Sequence, residues 1–256
     1  MSAEPRIVSL VPSITELLCD LDLSEEVVGR TGFCIHPWET VREIPKVGGT
    51  KDVLMDRVRE LAPTHVVVNV DENRKEDAEA LAEFVPNVVV THPLDPRDNL
   101  GLYRQMGAAF DREREAEALC GRFEASYERA VASAGPGRSV LYLIWRDPWM
   151  TVAPDTYIAR TLALFNWRTV QPVDFGSPEG DQRLRVRYPE VRLSDFAWKV
   201  DRVLLSSEPF HFKDHHRAEV AALVPGAEVS LIDGEMTSWY GSRAIAGLDY
   251  LAEFTS

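Results

Sequence analysis

Cysteine is scarce in this chain of 256 residues, which has only Cys19, Cys34 and Cys120. An odd number at wide spacing excludes a disulfide framework and a zinc knuckle, and fits a reducing compartment. Long apolar runs are missing too. None approaches the roughly 18 continuous apolar residues of a membrane helix, so no membrane insertion is expected. Positive charge is in deficit, with 28 basic residues against 41 acidic and a net charge of −13. That excludes a broad nucleic-acid-binding face. The opening MSAEPRIVSLVPS has no basic n-region, no apolar h-region and no cysteine ahead of the first strand-like run. Read as it stands, it predicts a cytoplasmic protein, and a periplasmic or extracellular one only if a leader has been removed.

Short β-branched runs alternate with helical patterns through most of the chain. RIVSL (6–10), VVGRT (27–31), THVVVNV (64–70) and NVVVT (87–91) read as strands. Between them SITELLCDL, DVLMDRVREL and ENRKEDAEALAEF read as helices, the first with Ser13 and Glu16 at capping-box spacing. This rhythm predicts a mostly parallel sheet with helices on both faces. From Asn99 to Ala134 the strand signal stops, and Leu119, Phe123 and Tyr127 recur four apart, extended by Met106 and Val131. Gly135-Pro136-Gly137 ends that helical stretch. The rhythm resumes with SVLYLIW (139–145), TYIARTLALF, VDRVLLSS (200–207) and EVSLID (228–233).

The two halves echo each other. Residues 45–72, PKVGGTKDVLMDRVRELAPTHVVVNVDE, and 189–208, PEVRLSDFAWKVDRVLLSSE, each run from a proline through a short helix and a buried strand to a glutamate. The expected architecture is an α/β protein of two βα lobes joined by one long backbone helix, with the N-terminal lobe over 1–98, the helix over 99–135 and the C-terminal lobe over 136–256.

The opening PRIVSLVPSITELLCDLDLSEEVVGRT and the segment IPKVGGTKDVLMDRVRELAPTHVVV resemble signatures of the helical-backbone metal-receptor superfamily. These are the class III substrate-binding proteins that serve cobalamin, haem and ferric-siderophore importers, and the cobalamin-binding branch is the most similar. The resemblance covers nearly the whole chain. It implies a solute-binding protein, not an enzyme, that holds a corrinoid, siderophore or other metal chelate in a cleft between its lobes. It also implies an ABC transporter permease as partner, with Glu76 placed as a docking glutamate of the first lobe.

In open α/β sheets ligands bind beyond the carboxyl ends of the strands. In the first lobe that rule selects Ser13, then Phe33, Cys34 and His36, then Glu72 and Asn73, then His92. In the second it selects Trp145, Arg146 and Trp149, then Glu208 and Phe210, then Trp239, Tyr240 and Arg243. Four of the six tryptophans, Trp38, Trp145, Trp149 and Trp239, fall in or beside these loops, which suggests a binding surface. Arg146 and Arg243 offer forked donors suited to a carboxylate or phosphate, although Arg146 and Asp147 could simply pair and pin their loop. Glu72 and Glu208 follow matching strands, where they could face a ligand or cap the next helix. His215 and His216, in a charged helix start, read as solvated.

In GFCIHPWE (32–39), Cys34 and His36 leave three readings open. As metal ligands they would need one or two more, with His92, Glu72 and Glu208 as the candidates. As nucleophile and base they would support a cytoplasmic enzyme or metal-handling protein on the same scaffold, together with Glu72 and Glu208. Otherwise they form part of a cleft wall.

Overall fold

The computed structural model describes residues 4–171 and 186–256. The chain forms two compact units. The first takes the described residues of Met1–Pro93 with Arg97–Phe123 and Tyr240–Arg243, and the second those of Leu94–Pro96, Glu124–Trp239 and Ala244–Ser256.

In the first unit the order is β1 (Ile7–Ser9), α1 (Pro12–Asp20), β2 (Val27–Arg30), α2 (Trp38–Val41), α3 (Met55–Glu60), β3 (His65–Asn69), α4 (Lys75–Ala82), β4 (Asn87–Thr91), α5 (Asp98–Phe110) and the start of α6 (Glu113–Ala132). The strands stand in the order β2-β1-β3-β4, all parallel. Parallel strands need crossovers that cover the sheet with helices, so the central strands are buried on both faces and read as continuous Val/Ile runs. Val66 and Val68 of β3 accordingly pack with Val58 of α3 and Leu81 of α4. α1 packs against β1 and β2.

Three local expectations change here. The capping box at Ser13 does not form: Val11 is the N-cap, and Pro12 takes the first turn, where its missing N–H costs nothing. Ser13 is therefore inside α1 and buried. The helical stretch from 99 onward runs as two helices, because Asp111 adopts a left-handed conformation (φ 56°, ψ 47°) at the end of α5. Aspartate tolerates that region better than most residues, and a Cβ at Gly107 would lie 2.7 Å from the Ala116 Cβ, so glycine lets the helices meet at the turn. Along α6 the buried stripe is Ala116, Leu119, Cys120, Phe123, Ser126 and Ala130, while Val131 is exposed. A strict spacing of four drifts off a 3.6-residue turn, so the stripe moves from 127 and 131 to 126 and 130.

The second unit holds β5 (Arg138–Trp145), β6 (Met150–Thr151), α7 (Tyr157–Ala163), β7 (Trp167–Thr169), a 3-10 turn (Leu193–Phe196), β8 (Arg202–Ser206), α8 (Asp214–Leu223), β9 (Glu228–Ile232), α9 (Gly234–Ser238) and most of α10 (Arg243–Phe254). β5, β8 and β9 run parallel, β7 lies parallel to the start of β5, and the short β6 pairs antiparallel with its end. Leu141, Leu143, Val203, Leu205 and Val229 meet Val220 and Val224 in one core cluster with Phe196 and Phe212. β6 and β7 are too short to leave a periodic signal. Residues 233–243, expected as a loop, contain α9, which starts where the Asp233 carboxylate accepts the Met236 amide.

Candidate ligand-binding faces

All four strands of the first unit end on one side, and the chain after β2 supplies three exposed apolar groups there. Phe33 is 63% exposed, Trp38 52% and Ile35 39%. Cys34, between two of them, points inward: it is fully buried, with Sγ 3.1 Å from Thr31 Oγ1 and 3.9 Å from the Ser9 carbonyl. Gly32 and Phe33 form a turn that the Cys34 amide closes onto the Thr31 carbonyl at 3.3 Å, so Phe33 stands at its tip while Cys34 folds back under it. Burial pushes the Cys34 thiol pKa up, the opposite of an activated thiolate. Burial and the raised pKa both count against the nucleophile reading. His36 is half-buried. Among the described residues no group of three or more His, Cys, Asp or Glu gathers as a metal site.

After β3, Asn69 Oδ1 accepts the Asp71 amide at 2.8 Å, and Asn73 Oδ1 accepts the Asn69 amide at 2.8 Å. Asn73 Nδ2 donates to the carbonyls of Leu10 (3.3 Å) and Thr50 (3.0 Å). Asn73 is thus a buried fastener of the loops. The Glu72 carboxylate accepts the Tyr240 hydroxyl. Burial, then the Glu72 charge, pushes the Tyr240 pKa well above its usual value, so the phenol keeps its proton and donates. His92 Nε2 stands 3.6 Å from the Asp71 carboxylate, and Lys51 donates to the Asp71 carbonyl at 2.8 Å.

The strap Tyr240–Arg243 belongs to the same unit. Gly241 donates its amide to Asn99 Oδ1 (2.7 Å) and its carbonyl accepts the Tyr103 hydroxyl (2.9 Å). At φ +82° a Cβ on Gly241 would lie 3.0 Å from the Ser13 carbonyl, so glycine is required by both backbone and space. Arg243 forks onto Glu16 at 2.7 and 2.8 Å.

In the second unit, Trp145 is 39% exposed at the end of β5 and meets Phe210 edge-on at 5.8 Å. Trp149 stacks on Phe212, with centroids 6.1 Å apart. Arg146 pairs with Asp147 (2.9 Å) and Glu219 (2.8 Å), and its guanidinium lies 5.6 Å from the Trp149 ring. Glu208 accepts Ser238 Oγ (2.6 Å) and Trp239 Nε1 (2.8 Å) on the same oxygen, and burial raises its pKa despite those donors. His216 is buried, contrary to expectation. Its Nδ1 accepts the Lys213 amide at 2.8 Å, closing the start of α8, and its ring meets Phe210 and Phe212 edge-on.

The structure therefore separates the residues selected by strand ends. Phe33, Trp145 and His92 present themselves, with His36, Glu72, Trp149 and Phe210 half-buried. Ser13, Cys34, Asn73, Trp239 and Tyr240 lie in the supporting layer, and both arginines already hold carboxylates. Trp38, prominent in the sequence but outside the selected set, stands out in solvent. Asn99 and Tyr103 left no signal, because their bonds to Gly241 cross 142 and 138 residues. Each unit thus presents its own aromatic face suited to a ligand with flat or apolar surface, since large aromatics contribute much area for little conformational entropy.

A family model described as "Periplasmic binding protein" matches residues 7–174. No curated protein sequence matches significantly. Among solved structures, the periplasmic haem-binding protein RhuT from Roseiflexus sp. RS-1 is similar, with a TM-score of 0.80 at 19% identity, over 99% of this chain and 98% of that one. The periplasmic vitamin B12 binding protein BtuF of Vibrio cholerae gives 0.78 at 14% identity, over 98% and 96%. A periplasmic haem-binding protein from Pseudomonas aeruginosa gives 0.79 at 17%, over 99% and 93%. At such identities the likeness establishes the shared fold.

Proposed function

We propose that this chain, which belongs to the periplasmic binding protein family and has the helical-backbone fold of its class III members, is a solute-binding protein for a corrinoid, haem or other metal chelate. The observation that carries the reading is the grouping of exposed Phe33, Ile35 and Trp38 in one loop beyond the end of β2, since clustered exposed apolar groups mark binding surfaces more than scattered ones do. Haem and vitamin B12, the ligands of two proteins of similar structure, both offer broad ring faces. An ABC transporter permease is the partner that family membership suggests. The ligand is held, without chemistry on it, by aromatic area and by polar groups already fixed in place.

Titration with cyanocobalamin and with haemin, followed by visible absorbance and calorimetry, tests this. Saturable binding of one of them, weakened at least tenfold by Trp38→Ala or Trp145→Ala, is the expected result. Absence of heat and of spectral change with both, and with a ferric siderophore, would refute the chelate reading.

A further inference from the structure

The largest fully buried side chain of the first unit is not apolar: Arg30, at the end of β2, has no solvent exposure. Its three partners among the described residues are backbone carbonyls. Nε donates to Val41 O at 2.6 Å, Nη1 to Thr31 O at 3.1 Å and Nη2 to Arg42 O at 3.4 Å. A buried cation without a carboxylate persists only when its donors are well placed, and the weakly hydrated, planar guanidinium suits that role.

Those carbonyls belong to the two stems of one loop. Thr31 O opens it and also accepts the Cys34 amide. Val41 and Arg42 close it at the end of α2, where orphan carbonyls favour a cation. α2 is a single turn, too short to persist unaided. The Arg30 backbone adds to the hold, since its amide donates to Pro45 O (3.0 Å) and its carbonyl accepts the Val47 amide (2.8 Å). Between the stems stand Phe33, Ile35 and Trp38, all exposed.

We propose that Arg30 is a positioning residue for ligand binding: its guanidinium clamps both stems of the 31–42 loop and so fixes where Phe33 and Trp38 stand. The proposal rests on the reading that this loop meets the ligand, and it extends that reading to a residue that touches no ligand. Lysine at this position keeps the charge but loses the fork, since an ammonium is a point donor on a flexible stem.

The test compares wild type, Arg30→Lys and Arg30→Met by amide hydrogen exchange, by fluorine NMR of 5-fluorotryptophan protein with the Trp38 signal assigned through Trp38→Phe, and by cyanocobalamin and haemin titration. Arg30→Lys should speed exchange at residues 31–42 at least tenfold, leave Val66–Val68 of β3 unchanged, shift or broaden the Trp38 signal and weaken probe binding at least tenfold. If Arg30→Met fails to fold, Arg30→Lys still decides. Loop amides as slow as in wild type, or loop and β3 amides accelerating together, would overturn the clamp. So would full probe affinity in Arg30→Lys. If wild type binds neither probe, the ligand reading fails, while exchange and the Trp38 signal still report on the clamp by themselves.

Discussion

Arg243 looked suited to an anionic ligand group by residue type, and its environment makes a quantitative counter-case. Its Nε and Nη2 meet both Glu16 oxygens at 2.7 and 2.8 Å, with the side chains 11% and 18% exposed. Breaking a fully buried pair costs about 3–5 kcal/mol because the survivor keeps its desolvation penalty, whereas exposed pairs contribute little. With this residual exposure, Arg243→Leu should cost about 2–4 kcal/mol. Glu16→Leu with Arg243→Leu should recover much of it, since no unpaired charge is then left behind. Arg104 and Glu117 supply an internal control in the same unit: the fork is just as tight, at 2.6 and 2.9 Å, but the side chains are 54% and 57% exposed. Arg104→Leu should leave stability unchanged within error. Urea unfolding of the single and double variants, with probe titration beside it, reads all three. If Arg243→Leu proves as mild as Arg104→Leu while ligand affinity collapses, the arginine holds the ligand and the structural assignment is wrong.

Glu208 should show itself in a pH profile. Burial raises its folded pKa, so its contribution to stability is complete below the ordinary carboxylate pKa and is lost as pH rises through the folded value. Glu208→Gln can keep the Ser238 and Trp239 donors on its amide oxygen without a buried charge. In urea unfolding from pH 4 to 8, its stability relative to wild type should therefore rise with pH; a flat difference would contradict this. Cys34 is buried with a raised pKa, so it should resist a thiol reagent in the folded protein, as should the buried Cys120, and both should react in denaturant. Rapid labelling of Cys34 under native conditions would mean that the 31–42 loop opens. Phe33→Ala, at an exposed site, should change stability by no more than about 0.5 kcal/mol while weakening ligand binding; calorimetry and urea unfolding together check both halves.

The βα rhythm was legible because strand periodicity, β-branched runs and helix patterns are local, and β4 falls on the run expected for it, Asn87–Thr91. The ends of those strands followed, and with them the loops worth inspecting. Legibility failed where geometry depends on a partner. The stripe of α6 slid by one residue because burial follows the turn of the helix, and His216 went inside because Phe210 and Phe212 await it.

For the candidate site, residue types and their strand-end placement determined which groups could meet a ligand, since order along the chain sets both. Only the tertiary structure decided which of them are free to do so. Tyr240 donates to Glu72 across 168 residues and Arg243 grips Glu16 across 227. Such pairings arise when separate strand-end loops arrive at one place, and no local spacing encodes that arrival. Within GFCIHPWE, the turn that exposes Phe33 and buries Cys34 is set the same way, by Arg30, Thr31 and Ser9 closing around one side of the loop.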